Sequence, residues 1–307
     1  MNPDVRVFFM DKKTREKMKK FEKIVWDYYA KHRRSFPWRE NITPYRVIVS
    51  EIMLQQTQVS RVVPKFQSFM RRFPDFETLA AAPLRDVLAE WQGLGYNRRG
   101  LQLKKLAEMV VAETKEKSGS KTVSKTADLP RTKEALMELP GIGPNTAGSV
   151  LAFAYNIPQA FIETNIRSVF IHFFFKKARR KIDDKEILKL VETSLLSTSS
   201  AGKTGKKITN PREWFYALMD YGAYLKSSHP NPSRKSKHHV RQSPFKGSNR
   251  ELRARILRII IEKPRIAEEI ERLLKIKTLS ALPIKKNLTA LTKEGFIAEK
   301  NGIFHII

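Results

Sequence analysis

Apolar residues recur along most of the chain at the three- and four-residue spacing of helices buried on one face. From Lys13 to Tyr29 the stripe is Met18, Phe21, Ile24, Val25 and Tyr28. Thr43-Pro44 is a helix start, with Thr as cap and Pro at the first helical position. The helix it opens carries Tyr45, Val47, Ile48, Ile52 and Leu54, and so reads as largely buried. The polar run Gln55-Gln56-Thr57-Gln58 interrupts the pattern before another helical stretch around Val62 to Phe73. Leu79 to Trp91 and Leu101 to Ala112 read as two more amphipathic helices, joined through Gly93-Leu94-Gly95-Tyr96-Asn97-Arg98-Arg99-Gly100.

Helices over Thr132–Glu138 and Pro144–Tyr155 flank Leu139-Pro140-Gly141-Ile142-Gly143, and another runs from about Asn165 to Phe175. Pro211 to Leu225 is again helical, with Trp214, Leu218 and Tyr221 on one face. Lys115–Thr126 and Ser197–Thr209 are low-complexity loops rich in Ser, Lys and Gly. A basic, nearly acid-free segment follows the Pro211 helix, with Lys226, Arg234, Lys235, Lys237, Arg241 and Lys246, and marks a domain boundary. From Arg250 the character changes. Three short helical stretches precede Phe296–Glu299 and Ile303–Ile306, which alternate around Asn301-Gly302 as in a tight hairpin. Helices closed by a terminal hairpin suggest a winged-helix unit.

Charge narrows the partner. Against 31 Asp and Glu stand 59 Lys and Arg, a formal net of +28 over 307 residues. Such a field attracts polyanions, nucleic acid first among them. An anionic membrane surface is the alternative, but neither an amphipathic anchor nor a lipidation signal is found. The absence of Cys removes disulfides and Cys-ligated zinc or iron–sulfur centres. Met1 to Lys20 lacks the apolar core of a signal peptide, and no apolar stretch approaches a membrane span. The chain therefore reads as soluble and intracellular, cytoplasmic and nucleoid-associated.

The Gly141-Ile142-Gly143 turn between helices can aim backbone N–H groups outward. With the positive end of the following helix, these can hold a DNA phosphate; a plain structural turn is the other reading. Glu51 sits among Val47, Ile48, Ile52 and Leu54, where burial would keep a proton available near neutrality. A surface Glu on an amphipathic helix is the bland alternative.

Leu139-Pro140-Gly141-Ile142-Gly143-Pro144-Asn145-Thr146-Ala147 resembles the hairpin of the helix-hairpin-helix DNA glycosylase superfamily, to which endonuclease III belongs. Phe36-Pro37-Trp38-Arg39, Thr43-Pro44-Tyr45 and Ser50-Glu51-Ile52-Met53-Leu54-Gln55-Gln56-Thr57-Gln58-Val59 resemble its adenine glycosylase (MutY) branch. Gly93-Leu94-Gly95-Tyr96 and Met219-Asp220-Tyr221-Gly222-Ala223 continue that likeness in the same order, over roughly Phe21 to Leu225.

The resemblance implies a mainly α, two-lobed helix-hairpin-helix glycosylase fold, to which the chain's own pattern adds a small C-terminal winged-helix-like tail. Residues 13–247 would form the core, with about 40–160 as a six-helix lobe and 13–39 plus 161–247 as the second. Residues 248–307 would be the tail, an accessory or DNA-binding domain. The implied activity is monofunctional removal of adenine mispaired with guanine or 8-oxoguanine in double-stranded DNA, by a monomer in base-excision repair. Glu51 would protonate the adenine ring and help activate water. Gln55, Gly141, Gly143, Asn145 and Thr146 would contact DNA, and Gln56 and Tyr96 would fill the gap left by an extruded base. Tyr96 could equally be packing. Arg98-Arg99 would contact phosphate, unless they form only a solvated face.

This sequence departs from the family in several places. The family has an Asp that stabilises the sugar cation where Glu163 stands, one methylene longer, in Phe161-Ile162-Glu163-Thr164-Asn165. Glu163 is read as that catalytic carboxylate or as a helix cap, and Asn165 as its orienting partner or a cap. Bifunctional members carry a Lys where Asn145 stands, and an Asn cannot form a Schiff base. The four Cys of the family's iron–sulfur cluster are missing, as is any likeness to its 8-oxoguanine-reading domain. No cofactor and no metal are expected, and His229, His238 and His239 read as surface residues of a basic loop. Lys285 and Lys286 of the tail suit DNA backbone contact or plain packing. Two rivals stay open: a thymine or uracil mismatch glycosylase of the same fold, and a catalytically silent DNA-binding relative.

Overall fold

The computed structural model describes residues 11–117, 127–197, 210–240, 242–274 and 283–307. Within these the chain is mainly helical and divides into two compact units. The first comprises residues 1–42, 131–134 and 143–241, and the second 43–130, 135–142 and 242–307. Most of the loop expected over Lys115–Thr126 and Ser197–Thr209 lies outside the described residues, as does Arg241. Lys115–Lys117 and Ser197 are the last turns of helices.

In the first unit the long helix α1 (Lys12–His32) is capped by Asp11, whose carboxylate accepts the Thr14 N–H. The short α2 (Pro37–Glu40) follows it. Helices α9 (Pro144–Tyr155), α10 (Thr164–Phe174), α11 (Asp184–Ser197) and α12 (Pro211–Ser228) complete the unit. Its core is aromatic. Phe21 of α1 meets Phe170 at 5.1 Å and Trp214 at 5.7 Å between ring centroids, and Phe161 meets Phe215 at 4.3 Å. Phe153 brings α9 into this core by stacking on Tyr216 at 4.8 Å. That packing assigns α9 to this unit, although the sequence grouped it with residues 40–160. Helix α11 was not anticipated; its buried Ile187, Val191 and Leu195 follow helical spacing.

The second unit starts with α3 (Pro44–Leu54), where the Thr43 hydroxyl accepts the Arg46 N–H as the Thr-Pro signal requires. Then come α4 (Val59–Arg72), α5 (Phe76–Ala81), α6 (Leu84–Trp91) and α7 (Arg98–Lys117). The single helix expected over Leu79–Trp91 is two. Pro83 drives the preceding Ala82 to extended backbone (ψ 141°), and Asp75 caps the first piece through the Thr78 N–H. The short α8 (Lys133–Glu138) precedes the Gly141 turn.

The tail runs α13 (Asn249–Glu262), β1 (Arg265–Ile266), α14 (Ala267–Leu273), α15 (Ile284–Lys293), β2 (Ile297–Lys300) and β3 (Ile303–Ile306). Its three-stranded antiparallel sheet has the order β1-β3-β2, and Lys300 pairs with Ile303 across Asn301 and Gly302, both at positive φ. Expected as a domain of its own, it shares a core with the second unit. Leu252, Ile256 and Ile260 of α13 pack with Leu84, Leu88 and Leu101 of α6 and α7. Arg85 completes the junction by donating to the carbonyls of Ile261 (2.7 Å) and Glu262 (3.2 Å) at the end of α13. Among the described residues no helix is long and apolar enough to cross a membrane.

Candidate active site and DNA-contact surface

Helix α3 is the most buried element near the candidate site. Tyr45, Val47, Ile48, Val49, Ser50, Ile52 and Met53 are all buried, and Glu51 is half-buried in their midst. Its C-terminal carbonyls would be left unsatisfied inside the protein were no donor supplied. Arg99 supplies them. Its Nη1 donates to the carbonyls of Ile52 (2.7 Å), Met53 (3.1 Å) and Gln55, and its Nη2 to Thr57 Oγ1 and the Gly95 carbonyl, both at 3.0 Å. Burial lowers its pKa to about 10. Arg99 is thus turned inward and corrects the expectation that it lies on DNA. It clamps the Gln55-Gln56 turn to the Leu94-Gly95 turn, a role that spacing alone does not reveal. Its neighbour Arg98 is exposed.

The two turns so joined each hold one strained residue. Gln56 has φ +54° and Tyr96 φ +48°, a region costly for side chains of this size. Both line the same two clefts, with Asn97 beside them and Gln55 at the second. The Tyr96 hydroxyl accepts a hydrogen bond from Arg250 Nη1 at 2.7 Å and another from Gln242 Nε2.

The hairpin has the form its sequence requires. Gly141 adopts φ +81°, and a Cβ there would lie 3.0 Å from Gln102 Oε1. The Ile142 N–H closes on the Leu139 carbonyl at 3.2 Å. Gly143 is the N-cap of α9 and makes no side-chain cap, and Pro144 takes the first helical position, where a missing N–H costs nothing. The exposed Asn145 uses its Oδ1 to accept the Ile162 N–H at 3.2 Å, one residue before Glu163.

Glu163 caps α10. Its Oε1 accepts the N–H of Asn165 (2.7 Å) and Ile166 (2.9 Å), and its Oε2 accepts from Asn165 Nδ2 at 3.1 Å. The cap reading holds, and these bonds fix the carboxylate while leaving acceptor capacity on it. Asn165 Oδ1 is buried and has no partner. The motif Asp220-Tyr221-Gly222 also finds its reason here. A Cβ on Gly222 would come within 2.5 Å of the Asn165 carbonyl oxygen, so only glycine lets α12 pass so close to the start of α10. Asp220, fully buried, holds Arg39 (2.9 Å) and Arg34 (2.8 Å). Lys226, which the sequence marks only as the start of a basic segment, is half-buried at the end of α12. Burial lowers its pKa, and the Glu163 carboxylate pulls in the opposite direction.

The segment that would carry an iron–sulfur cluster does not fit one. It has no thiolates, and it folds on hydrogen bonds instead. Asn231 Oδ1 accepts from Ser233 Oγ (2.8 Å) and Ser168 Oγ (3.3 Å), and Ser233 and Ser236 are buried. Ile182 and Lys237 bond across a parallel bridge at 2.9 Å, and Lys235 Nζ donates to the Lys176 carbonyl at 2.6 Å. Among the described residues no group of three or more His, Cys, Asp or Glu is arranged to hold a metal.

Residues 49–194 match the family model of the HhH-GPD superfamily base excision DNA repair proteins. The chain carries an HhH-GPD domain. Similar sequences are adenine DNA glycosylases. One from Buchnera aphidicola subsp. Baizongia pistaciae is 34% identical over 205 residues, covering 67% of this chain and 52% of that protein. One from Mycolicibacterium smegmatis is 37% identical over 149 residues, covering 48% of this chain and 46% of the relative. The chain thus spans about half the length of these curated relatives. Among solved structures, a thermostable thymine-DNA glycosylase superposes with TM-score 0.58 at 25% identity, over 73% of this chain and 94% of its own. The HhH-GPD match takes in the second half of α3 with Glu51, the Gly141 hairpin and the Glu163 cap, and stops short of the tail.

Proposed function

We propose that this chain is a monofunctional adenine DNA glycosylase acting on double-stranded DNA with a mismatched or damaged base pair, inside the cell and as a monomer. The observation that carries the reading is the 34% identity with an adenine DNA glycosylase over 205 residues, beside a family match over residues 49–194 that holds both Glu51 and Glu163. Glu51, on a buried helix, would give its proton to the adenine ring. The glycosidic bond then breaks with its electron pair leaving on the base, and Glu163 stabilises the positive charge developing on the sugar. Water adds to the sugar carbon and passes its proton to the Glu51 carboxylate, which restores the acid. The N-terminus of α9 and the Gly141 turn would hold backbone phosphate, while Gln56 and Tyr96 enter the stack. Asn145 offers no amine, so the product would be an abasic site with the strand intact.

The likeness to a thymine-DNA glycosylase structure favours a second reading, removal of thymine facing guanine by the same fold. Base release from a panel of duplexes separates the two. Adenine released opposite guanine and 8-oxoguanine, and lost by at least about a hundredfold in Glu51→Gln, supports the first. Thymine release without adenine release replaces it with the second, and strong duplex binding with no abasic product under any mismatch leaves only a binding protein.

A further inference from the structure

The aromatic core of the first unit does not close over all its rings; part of it opens as a band across α1, α10 and α12. Between ring centres, Tyr28 of α1 lies 4.7 Å from His32 and 5.0 Å from Tyr224 of α12. Tyr221 meets Tyr224 at 5.7 Å and Phe173 of α10 at 5.6 Å. Phe21 then joins Phe173 (5.0 Å) to Phe174 (5.3 Å). Phe21 and Tyr221 are buried, but Tyr28, Phe173 and Phe174 are only half-buried, and His32 and Tyr224 are exposed. Phe174 ends α10, about 15 Å along the helix from the Glu163 cap. A contiguous patch of open rings marks a contact surface rather than a core.

The charge around the band has one sign. Residues 164–182 and 221–250 contain no Asp or Glu. Lys176, Lys177 and Arg179 are exposed just beyond Phe174, and Lys17 Nζ lies 5.1 Å from the centre of its ring. By helical spacing Lys17 and Lys31 share the Tyr28 side of α1, whereas Glu16, Glu22 and Asp27 lie round the helix. Asp220, whose charge acts on Tyr28, is buried against Arg34 and Arg39, and Asp183 and Asp184 pair with Lys237 and Arg167. A ligand for this surface is a polyanion that also carries flat apolar groups. Nucleic acid is both. Its bases present their faces to protein rings only when unpaired, because in a duplex each face is covered by the next pair.

We propose that the band from His32 to Phe174 is a stacking platform for single-stranded nucleic acid. Tyr224 and Tyr28 take the bases, and Lys17, Lys177 and Arg179 take the phosphates. The platform uses neither Glu51 nor Glu163, so its test stands apart from that of base release.

The full chain is titrated by fluorescence anisotropy against labelled oligothymidylate of about 20 nucleotides, long enough to cover such a platform. A strand of equal length built from tetrahydrofuran abasic units and a blunt duplex are the comparisons. The wild type should bind oligothymidylate about tenfold more tightly than the baseless strand. Tyr224→Ala should cut that ratio about fivefold, and Tyr224→Phe, which keeps the ring, should retain it. Lys177→Ala combined with Arg179→Ala should weaken both single strands alike and flatten their salt dependence. Because Tyr224 is exposed, Tyr224→Ala should leave the melting temperature and the affinity for the blunt duplex unchanged. Equal binding of the two single strands by the wild type, a ratio unmoved by Tyr224→Ala, or a loss shared with the duplex overturns the proposal. Phosphatidylglycerol vesicles that bind through Tyr224 while oligothymidylate does not would replace it with a membrane contact.

Discussion

Arg99 Nη1 sits 2.7 Å from the carbonyl oxygen of Ile52, with its guanidinium sealed inside the second unit. A cation is buried there because the last turn of α3 presents several carbonyls in one place, and a planar fork of donors can satisfy them together. An ammonium would reach fewer of them. Arg99→Lys is therefore expected to cost about 3 kcal/mol or more in unfolding free energy, through carbonyls left without donors. Denaturant unfolding measures this, and a loss below about 0.5 kcal/mol would show that water replaces the guanidinium. Any base release by the folded variant should fall as well, since the Gln55-Gln56 turn loses its anchor.

The Glu163 cap separates charge from hydrogen bonding. In Glu163→Gln the amide oxygen can still accept the Asn165 and Ile166 N–H groups, but the negative charge is gone. The melting temperature should change little while base release drops by about a hundredfold or more. Glu163→Ala should lose both, with about 1 kcal/mol from the missing cap. Equal activity in Glu163→Gln and wild type would reduce Glu163 to a helix cap.

The shared core predicts that the tail is not separable. Ile256→Ala, in the apolar seam between α13 and the α6–α7 pair, should destabilise the second unit by about 2–5 kcal/mol. Removing residues 249–307 should expose Leu84, Leu88 and Leu101 and give an aggregating protein. A soluble truncated chain with an unchanged melting temperature would contradict the shared core.

Lys226 predicts a pH effect at alkaline pH. Its pKa is lowered by burial in the folded protein, below the ordinary 10.5 that it regains on unfolding. Between those two values the unfolded chain holds more protons, so stability from this group rises with pH through that window and is lost again as pH falls through the lowered pKa. The stability of wild type relative to Lys226→Met should therefore climb as pH approaches 10.5. A difference that stays flat from pH 7 to 10.5 would remove the burial argument.

Much of this was legible in the residues themselves. Helix spacing, the Thr43-Pro44 start and the Asn301-Gly302 hairpin rest on interactions a few residues long, and they formed where expected. Glu51 and the Gly141 hairpin stood out because their motifs are contiguous. Helix α11 is less visible, since its stripe adjoins a low-complexity stretch, and α5 reads as one helix with α6 because apolar spacing continues across Pro83.

By itself, then, the sequence determined the helical character, the basic field, the missing thiolates and the short motifs, all of which depend on composition or on neighbours in the chain. Only tertiary structure decided that Arg99 is a buried clamp rather than a phosphate ligand, that the tail belongs to the second unit, and that Arg250 meets Tyr96. Each of those facts joins residues distant in sequence, and which buried carbonyl or apolar face a side chain will satisfy is fixed only when the chain has folded around it.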